Sequence, residues 1–307
     1  MDSIMKSTYF IDGQEKDFKF RTSLTASQIC NFVNFVTESI ISNSYYSHLK
    51  DIMFDYVVGV SAGIAYGVSY LSRQSGRNLE ILQRYVNDKR YMGGINLLRP
   101  DNRSYFGLEF AYEIIPNELV PFDYETFAAF PGEAEAVVTN LNTGQAEYLT
   151  VPKRDEHWLV LQATCALPFL FPIYYLDGQP YLDGGIADGI PYQHAFAKGC
   201  ERVVVFLTRE RSYIRRPKKL SYLFDVFYHQ YPKLKEAMLR RAEGYNACRE
   251  SLFELERQGR VLIVEPEDTR GFALTERDID KINALYQDGF NKTLARLEEI
   301  RHFMAGE

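Results

Sequence analysis

Gly59-Val60-Ser61-Ala62-Gly63 constrains this chain more than any other stretch. It follows Val57 to Val60, which reads as a short buried strand, and opens Ala62 to Ser72, an apolar, small-residue segment that reads as a helix ending near Gly76. A Gly-x-Ser-x-Gly pentapeptide in that setting makes a tight strand-to-helix turn and forces the serine out at the end of a sheet. Gly59 and Gly63 are expected to let neighbouring backbone pass closely, and the helix N-terminus favours developing negative charge. Ser61 is therefore the candidate nucleophile.

The rest of the chain alternates in the same way. Ala136–Asn140 and Ala146–Val151 read as strands around Asn142-Thr143-Gly144, Arg202–Thr208 as a strand buried on both faces, and Val261–Val264 as a further strand. Between and after them, Leu220 to Phe227 marks an amphipathic helix stopped by Pro232. A longer helix carries Leu234, Met238, Tyr245, Leu252 and Leu255 to Gly259, and a last one is capped by Thr275 and Asp278. Upstream, Thr8–Ile11 and Phe18–Arg21 flank the turn-prone Asp12-Gly13, and a Thr25/Gln28 capping box introduces helical spacing from Ile29 to Ile40. Strands alternating with helices indicate an α/β layered sheet.

Lys and Arg number 35 against 41 Asp and Glu, a net charge of −6, which argues against a dedicated nucleic-acid binder. Hydrophobic residues at 46% exclude a disordered chain. Trp158 to Leu176 is uncharged, but Pro168 and Pro172 break it, so it reads as a buried helix running into a loop rather than a membrane span. No basic-then-apolar leader opens the sequence, so no signal peptide is expected. Cys30, Cys165, Cys200 and Cys248 form no Cys-x-x-Cys pair and read as free thiols.

A serine alcohol needs a base. His48, His157, His194, His229 and His302 lack a recognisable catalytic context and any metal-ligand spacing, so no metal site is expected. The other feature is Asp183-Gly184-Gly185, by itself a good turn. Together with Gly59–Gly63, the run Ala166-Leu167-Pro168-Phe169-Leu170-Phe171-Pro172 and the stretch Tyr91 to Leu98, it resembles the patatin-like phospholipase family, in its bacterial branch, from about Tyr56 to Thr208. The resemblance implies a three-layer α/β/α sandwich with a mostly parallel sheet and a helical C-terminal extension. It implies a Ser61–Asp183 dyad without histidine, with Gly184 and Gly185 holding the carboxylate close, and hydrolysis of lipid acyl esters of the phospholipase A or lysophospholipase kind. No cofactor is required. The location implied is cytoplasmic, with peripheral contact at the inner membrane face left open.

One departure stands out. The family carries a glycine-rich oxyanion loop upstream of the serine, whereas residues 1–58 contain a single glycine, Gly13. The segment 1–56 is thus expected to be atypical, a foreign or natural replacement, ahead of a catalytic core over 57–210 and an extension over 211–307. Ala62 N–H becomes the oxyanion donor candidate, and loss of the loop could leave little catalysis. A catalytically inactive body that binds lipid or protein, and an esterase with a Ser-His-Asp triad using His194, are the alternatives. Finally, Arg209, Arg211, Arg215, Arg216, Lys218 and Lys219 precede Tyr222, Phe224, Phe227, Tyr228 and Tyr231. A lipid-facing patch is one reading, and a solvated loop before a core-packing helix is the preferred one.

Overall fold

A computed structural model describes residues 4–11, 14–21, 54–217, 221–272 and 276–306. Strands β1 (Ile4–Ile11) and β2 (Gln14–Arg21) pair antiparallel, with Ile11 opposite Gln14, so the expected hairpin is present with longer arms. The helix expected from Thr25 to Ile40 lies outside the described residues.

The body begins with β3 (Tyr56–Val60), α1 (Ala62–Leu71) and α2 (Arg77–Tyr85). After α3 (Tyr124–Ala129) comes β4 (Glu133–Asn140), the middle of the sheet, whose Ala136, Val137 and Val138 have no exposed surface. Then follow β5 (Ala146–Thr150), α4 (Leu159–Thr164), β6 (Tyr174–Leu176) and β7 (Gln179–Asp183). Trp158–Leu176 thus holds a short helix and a loop as expected, plus a strand that its uniform apolarity concealed. Among the described residues no helix is long and apolar enough to cross a membrane.

The fold is α/β, but the central sheet is mixed, which corrects the expectation of a mostly parallel one. β3 runs parallel to β4, whereas β5 and β7 run antiparallel to it and β6 antiparallel to β7. The cause lies in short connections. Asp177 and Gly178 both have positive φ, at 49° and 75°, and join Leu176 directly to Gln179 across a two-residue hairpin turn.

The C-terminal part consists of α5 (Tyr192–Ala197), β8 (Val203–Phe206), α6 (Ser221–Phe227), α7 (Pro232–Arg257), β9 (Val261–Val264), α8 (Ile279–Ala295) and α9 (Leu297–Ala305). Pro232 does not merely stop a helix. It occupies the first turn of α7, where its missing N–H costs nothing. Asp278 caps α8 by accepting from the Asp280 and Lys281 N–H groups, while Thr275 lies outside the described residues. Most of the aromatic residues of α6 and its C-terminal flank serve packing: Phe224, Tyr228 and Tyr231 are buried with Leu170 and Leu234, whereas Tyr222 is exposed. Arg209 is buried against Thr269, and Arg211 bridges Glu256 and Glu265, so both are engaged within the fold.

β8 pairs only with β9, in parallel, and β3 only with β4, among the described residues. Between β3 and β8 lies a cavity of about 230 Å³. It is lined by every residue from Tyr56 to Val60 and every residue from Val203 to Phe206. A sheet face would present alternate residues only, so the cavity runs along two strand edges. Unpaired edges forfeit ladder hydrogen bonds and invite pairing. Supplying a strand and glycine-rich loop by fusion upstream of Val57 should therefore raise the melting temperature, solubility and activity, as read by calorimetry and ester turnover. No gain in any of them would contradict the idea that this slot wants a strand.

Candidate active site

The register of the sheet decides where Ser61 and Asp183 lie. Val60 pairs with Val137 of β4, and Asp183 pairs with the next residue, Val138. β5 occupies the other edge of β4 at both positions, since Val137 faces Tyr148 and Val138 faces Glu147. β3 and β7 must then share one edge of β4, arriving from opposite directions. They meet end to end, one finishing in Val60-Ser61 and the other in Asp183. Neighbouring positions along a strand are about 3.3 Å apart. Residues 122 apart in sequence are thereby brought together without any loop being required to reach.

The turn at Ser61 is strained. Its φ of 55° and ψ of −132° lie where only glycine is at ease, at a cost of about 1–3 kcal/mol. The conformation is held by the Ser61 N–H, which donates to Thr164 Oγ1 at 2.8 Å, while that hydroxyl donates to the Val137 carbonyl. Thr164 on α4 was not read as a site residue in the sequence; a hydroxyl inside the uncharged, mostly apolar run Trp158–Leu176 was the available sign.

The two glycines of the pentapeptide differ. A Cβ on Gly59 would meet Ile64 Cβ and N at 2.8 Å, so strand and helix touch there. A Cβ on Gly63 would meet none of the described residues within 4 Å, and Gly63 has an ordinary helical backbone, so among the described residues its expected role in close passage is not seen. In the second motif, a Cβ on Gly184 would fall 2.1 Å from the Val137 carbonyl oxygen. Gly185 donates its N–H to Asp183 Oδ1 at 2.8 Å.

Asp183 is buried, and its Oδ2 has no hydrogen-bond partner. Burial pushes its pKa above the ordinary carboxylate value, opposed by the Arg241 guanidinium, the Ser61 hydroxyl and the Gly185 N–H. Ser61 is half-buried and lines two cavities. The first is the slot beside β3, which Asp183, Gly185, Arg215 and Arg241 also line. The second, of about 150 Å³, is walled mainly by apolar side chains including Tyr112, Trp158, Leu161, Leu170 and Phe171. Ala62 lines it too, and as the first residue of α1 it has an N–H that no intrahelical carbonyl can reach. Beside Ser61, Cys165 is a free thiol whose pKa burial pushes up to about 12, leaving it un-ionised at neutral pH. Cys200 and Cys248 are free as well, and Cys30 lies outside the described residues.

No histidine lines either cavity among the described residues. His194, the base of the triad alternative, stacks on Tyr148 at 3.5 Å and bonds Glu135 at 2.8 Å. Glu135 pairs with Val58, in the middle of β3 and three residues before Ser61.

One of the two arginines, Arg241, went unnoticed in the sequence, and the other, Arg215, was read there only as part of the basic run before α6. Arg241 of α7 donates its Nε–H to the Gly185 carbonyl at 2.6 Å. Arg215 stacks on Tyr245 at 3.9 Å. A sign was available for the first: Arg241 falls three residues after Met238 and four before Tyr245, on the stripe of α7 that also carries the buried Leu234 and Leu252.

The model of the patatin-like phospholipases matches residues 38–196, and that of a domain of unknown function (DUF6363) matches residues 231–305. The uncharacterized protein YjjU of Escherichia coli (strain K12) is 26% identical over 168 residues, covering 50% of this chain and 43% of that protein. The chain thus spans less than half the length of the curated relative it matches.

The packing contrast between the two glycines is measurable. Gly59→Ala should destabilise the protein by about 1–3 kcal/mol in urea unfolding through overpacking. Gly63→Ala should be neutral or stabilise by roughly 0.5–1 kcal/mol, as expected of a helical glycine with free space. Equal losses in the two would contradict the strand–helix contact described.

Proposed function

The chain belongs to the patatin-like phospholipase family, and on that premise we propose that it hydrolyses lipid acyl esters through Ser61 and Asp183. The observation that carries this reading is the end-to-end meeting of β3 and β7, which puts an alcohol on a strained turn beside a buried carboxylate with a free oxygen. Ser61 Oγ attacks the ester carbonyl, and its proton passes to Asp183. The tetrahedral intermediate then expels the alcohol, which takes that proton. Water, deprotonated by Asp183, attacks the acyl-serine and releases the fatty acid, and the serine regains its proton. Burial makes this carboxylate a stronger base than one in water. The apolar cavity beside Ser61 suits an acyl chain, and the Ala62 N–H suits the developing oxyanion.

A second reading is favoured by the edge of β3 that no described residue pairs and by the absence of a glycine-rich run before it: a body of this family that binds lipid without turning it over. Turnover of a p-nitrophenyl acyl ester separates the two. Hydrolysis should fall at least on the order of 10³-fold in Ser61→Ala and in Asp183→Asn. Absent turnover by a folded wild-type protein would favour the binder, and activity lost in His194→Ala but kept in Asp183→Asn would overturn the dyad.

The pH profile follows from the direction of the Asp183 shift. The base works ionised, so kcat/KM should drop as pH falls through the folded-state pKa, with an acid limb above the ordinary value of 3.8. The same shift opposes folding. A carboxyl whose pKa is raised in the folded state contributes stability that is fully present below its unfolded pKa and is lost as pH rises through the folded value. Melting temperatures across that window should decline more in wild type than in Asp183→Asn. An acid limb at or below the ordinary carboxylate value would contradict the assignment.

A further inference from the structure

The slot beside Ser61 contains more positive charge than the chemistry above uses. Its charged lining consists of Asp183, Arg202, Arg215 and Arg241. Among the described residues Arg215 and Arg241 form no ion pair with a carboxylate, although ion pairs are frequent elsewhere. Arg215 Nε is buried without a hydrogen-bond partner. Its guanidinium carbon lies over the Tyr245 ring, 3.9 Å from the centroid, and its backbone is tied to Asn246 in both directions, N–H to Oδ1 at 2.9 Å and carbonyl to Nδ2 at 3.0 Å. Arg241 is fixed through Nε to the Gly185 carbonyl, and its Nη2 lies 3.5 Å from where a Gly185 Cβ would stand. Asp183 Oδ1 and a Val60 methyl lie 3.0 and 3.4 Å from the same point, so the guanidinium, the carboxylate and the start of the serine turn converge there.

Two held guanidiniums in one slot repel each other. Burial, and then Arg215, pull the Arg241 pKa down to about 10, with Asp183 opposing. A buried cation without a partner is costly unless an anion joins it. Asp183 is a poor permanent counter-ion, since the proposed reaction protonates it in each cycle.

We propose that Arg215 and Arg241 form an anion site beside Ser61 that selects acyl esters carrying a dianionic phosphate monoester over neutral or zwitterionic ones. This rests on the hydrolase reading and extends it. Two guanidiniums match two negative charges and supply planar N–H forks suited to phosphate oxygens. Arg241 belongs to the segment matched as a domain of unknown function, which thereby gains a part in the site.

The test compares kcat/KM for three lysolipids with the same acyl chain: a 1-acylglycerol 3-phosphate, a 1-acylglycerophosphocholine and a 1-monoacylglycerol. The wild type should prefer the first over the other two at least about tenfold, and Arg215→Gln and Arg241→Gln should each reduce that ratio on the order of 10-fold. Arg241→Lys, which keeps the charge, should retain part of it. Absence of a preference in the wild type, or equal losses on all three esters, would overturn the proposal.

A binding measurement separates this idea from the hydrolase reading. In the Ser61→Ala protein, glycerol 3-phosphate should raise the melting temperature, inorganic phosphate should do so less, and the added Arg215→Gln change should remove both effects. Such binding without any ester turnover would leave the anion site standing and the hydrolase reading fallen. No binding would sink the anion site regardless of turnover. Arg215 is partly exposed, so its variant reads out even if Arg241→Gln fails to fold.

Discussion

The arrangement depends on two strands competing for one edge of a third. β3 uses β4 as far as Val137, and β7, arriving from the other side, pairs from Asn140 down to Val138. Neither can extend without displacing the other. The backbone must therefore turn away sharply at both ends, into α1 after Ser61 and into the Gly184-Gly185 turn after Asp183. Thr164 locks one turn through the Ser61 N–H, and the other is held by Gly185 N–H on Asp183 and by Thr139 Oγ1, which donates to the Asp183 carbonyl at 2.8 Å. Backbone hydrogen bonds in the sheet thus fix the spacing of the alcohol and the carboxylate, and no flexible side chain has to reach across.

That geometry carries energetic costs that the surrounding core offsets. The left-handed backbone at Ser61 and the half-satisfied carboxylate of Asp183 each oppose folding. Around them, Val137, Leu182 and Ile186 are buried almost completely, and a Cβ at Gly184 would collide with the Val137 carbonyl. Strain and desolvation concentrated where two motifs meet are characteristic of sites built for chemistry.

Much of this could be read from residues alone, and the reasons for the remainder are physical. The strand before Ser61, the helix after it and the strand Val261–Val264 were legible because apolar periodicity and punctuation by Gly and Asp coincide there. The direction of β7 was not legible, since a strand's sequence does not state which neighbour it pairs with or which way it runs. The Asp177-Gly178 turn was a visible clue, missed because the end of Trp158–Leu176 was read as a loop. Gly63 shows that a motif position can be occupied by glycine without its contacts demanding one. Arg241 was passed over because α7 was read for its apolar stripe, and a charge lying on that stripe was the signal. β9 pairing with β8, and α7 reaching Gly185, join the C-terminal region to the site, so 57–210 and 211–307 work as parts of one arrangement.

The central claim is that Asp183 activates Ser61 because the sheet sets them side by side. Labelling by a fluorophosphonate, which phosphonylates an activated serine, tests it most directly, with the modified residue located by peptide mass spectrometry. The account predicts modification at Ser61, slowed at least on the order of 10²-fold in Asp183→Asn and unchanged in His194→Ala. Labelling of Ser61 that is indifferent to Asp183, or modification of a different serine in the folded protein, would contradict it.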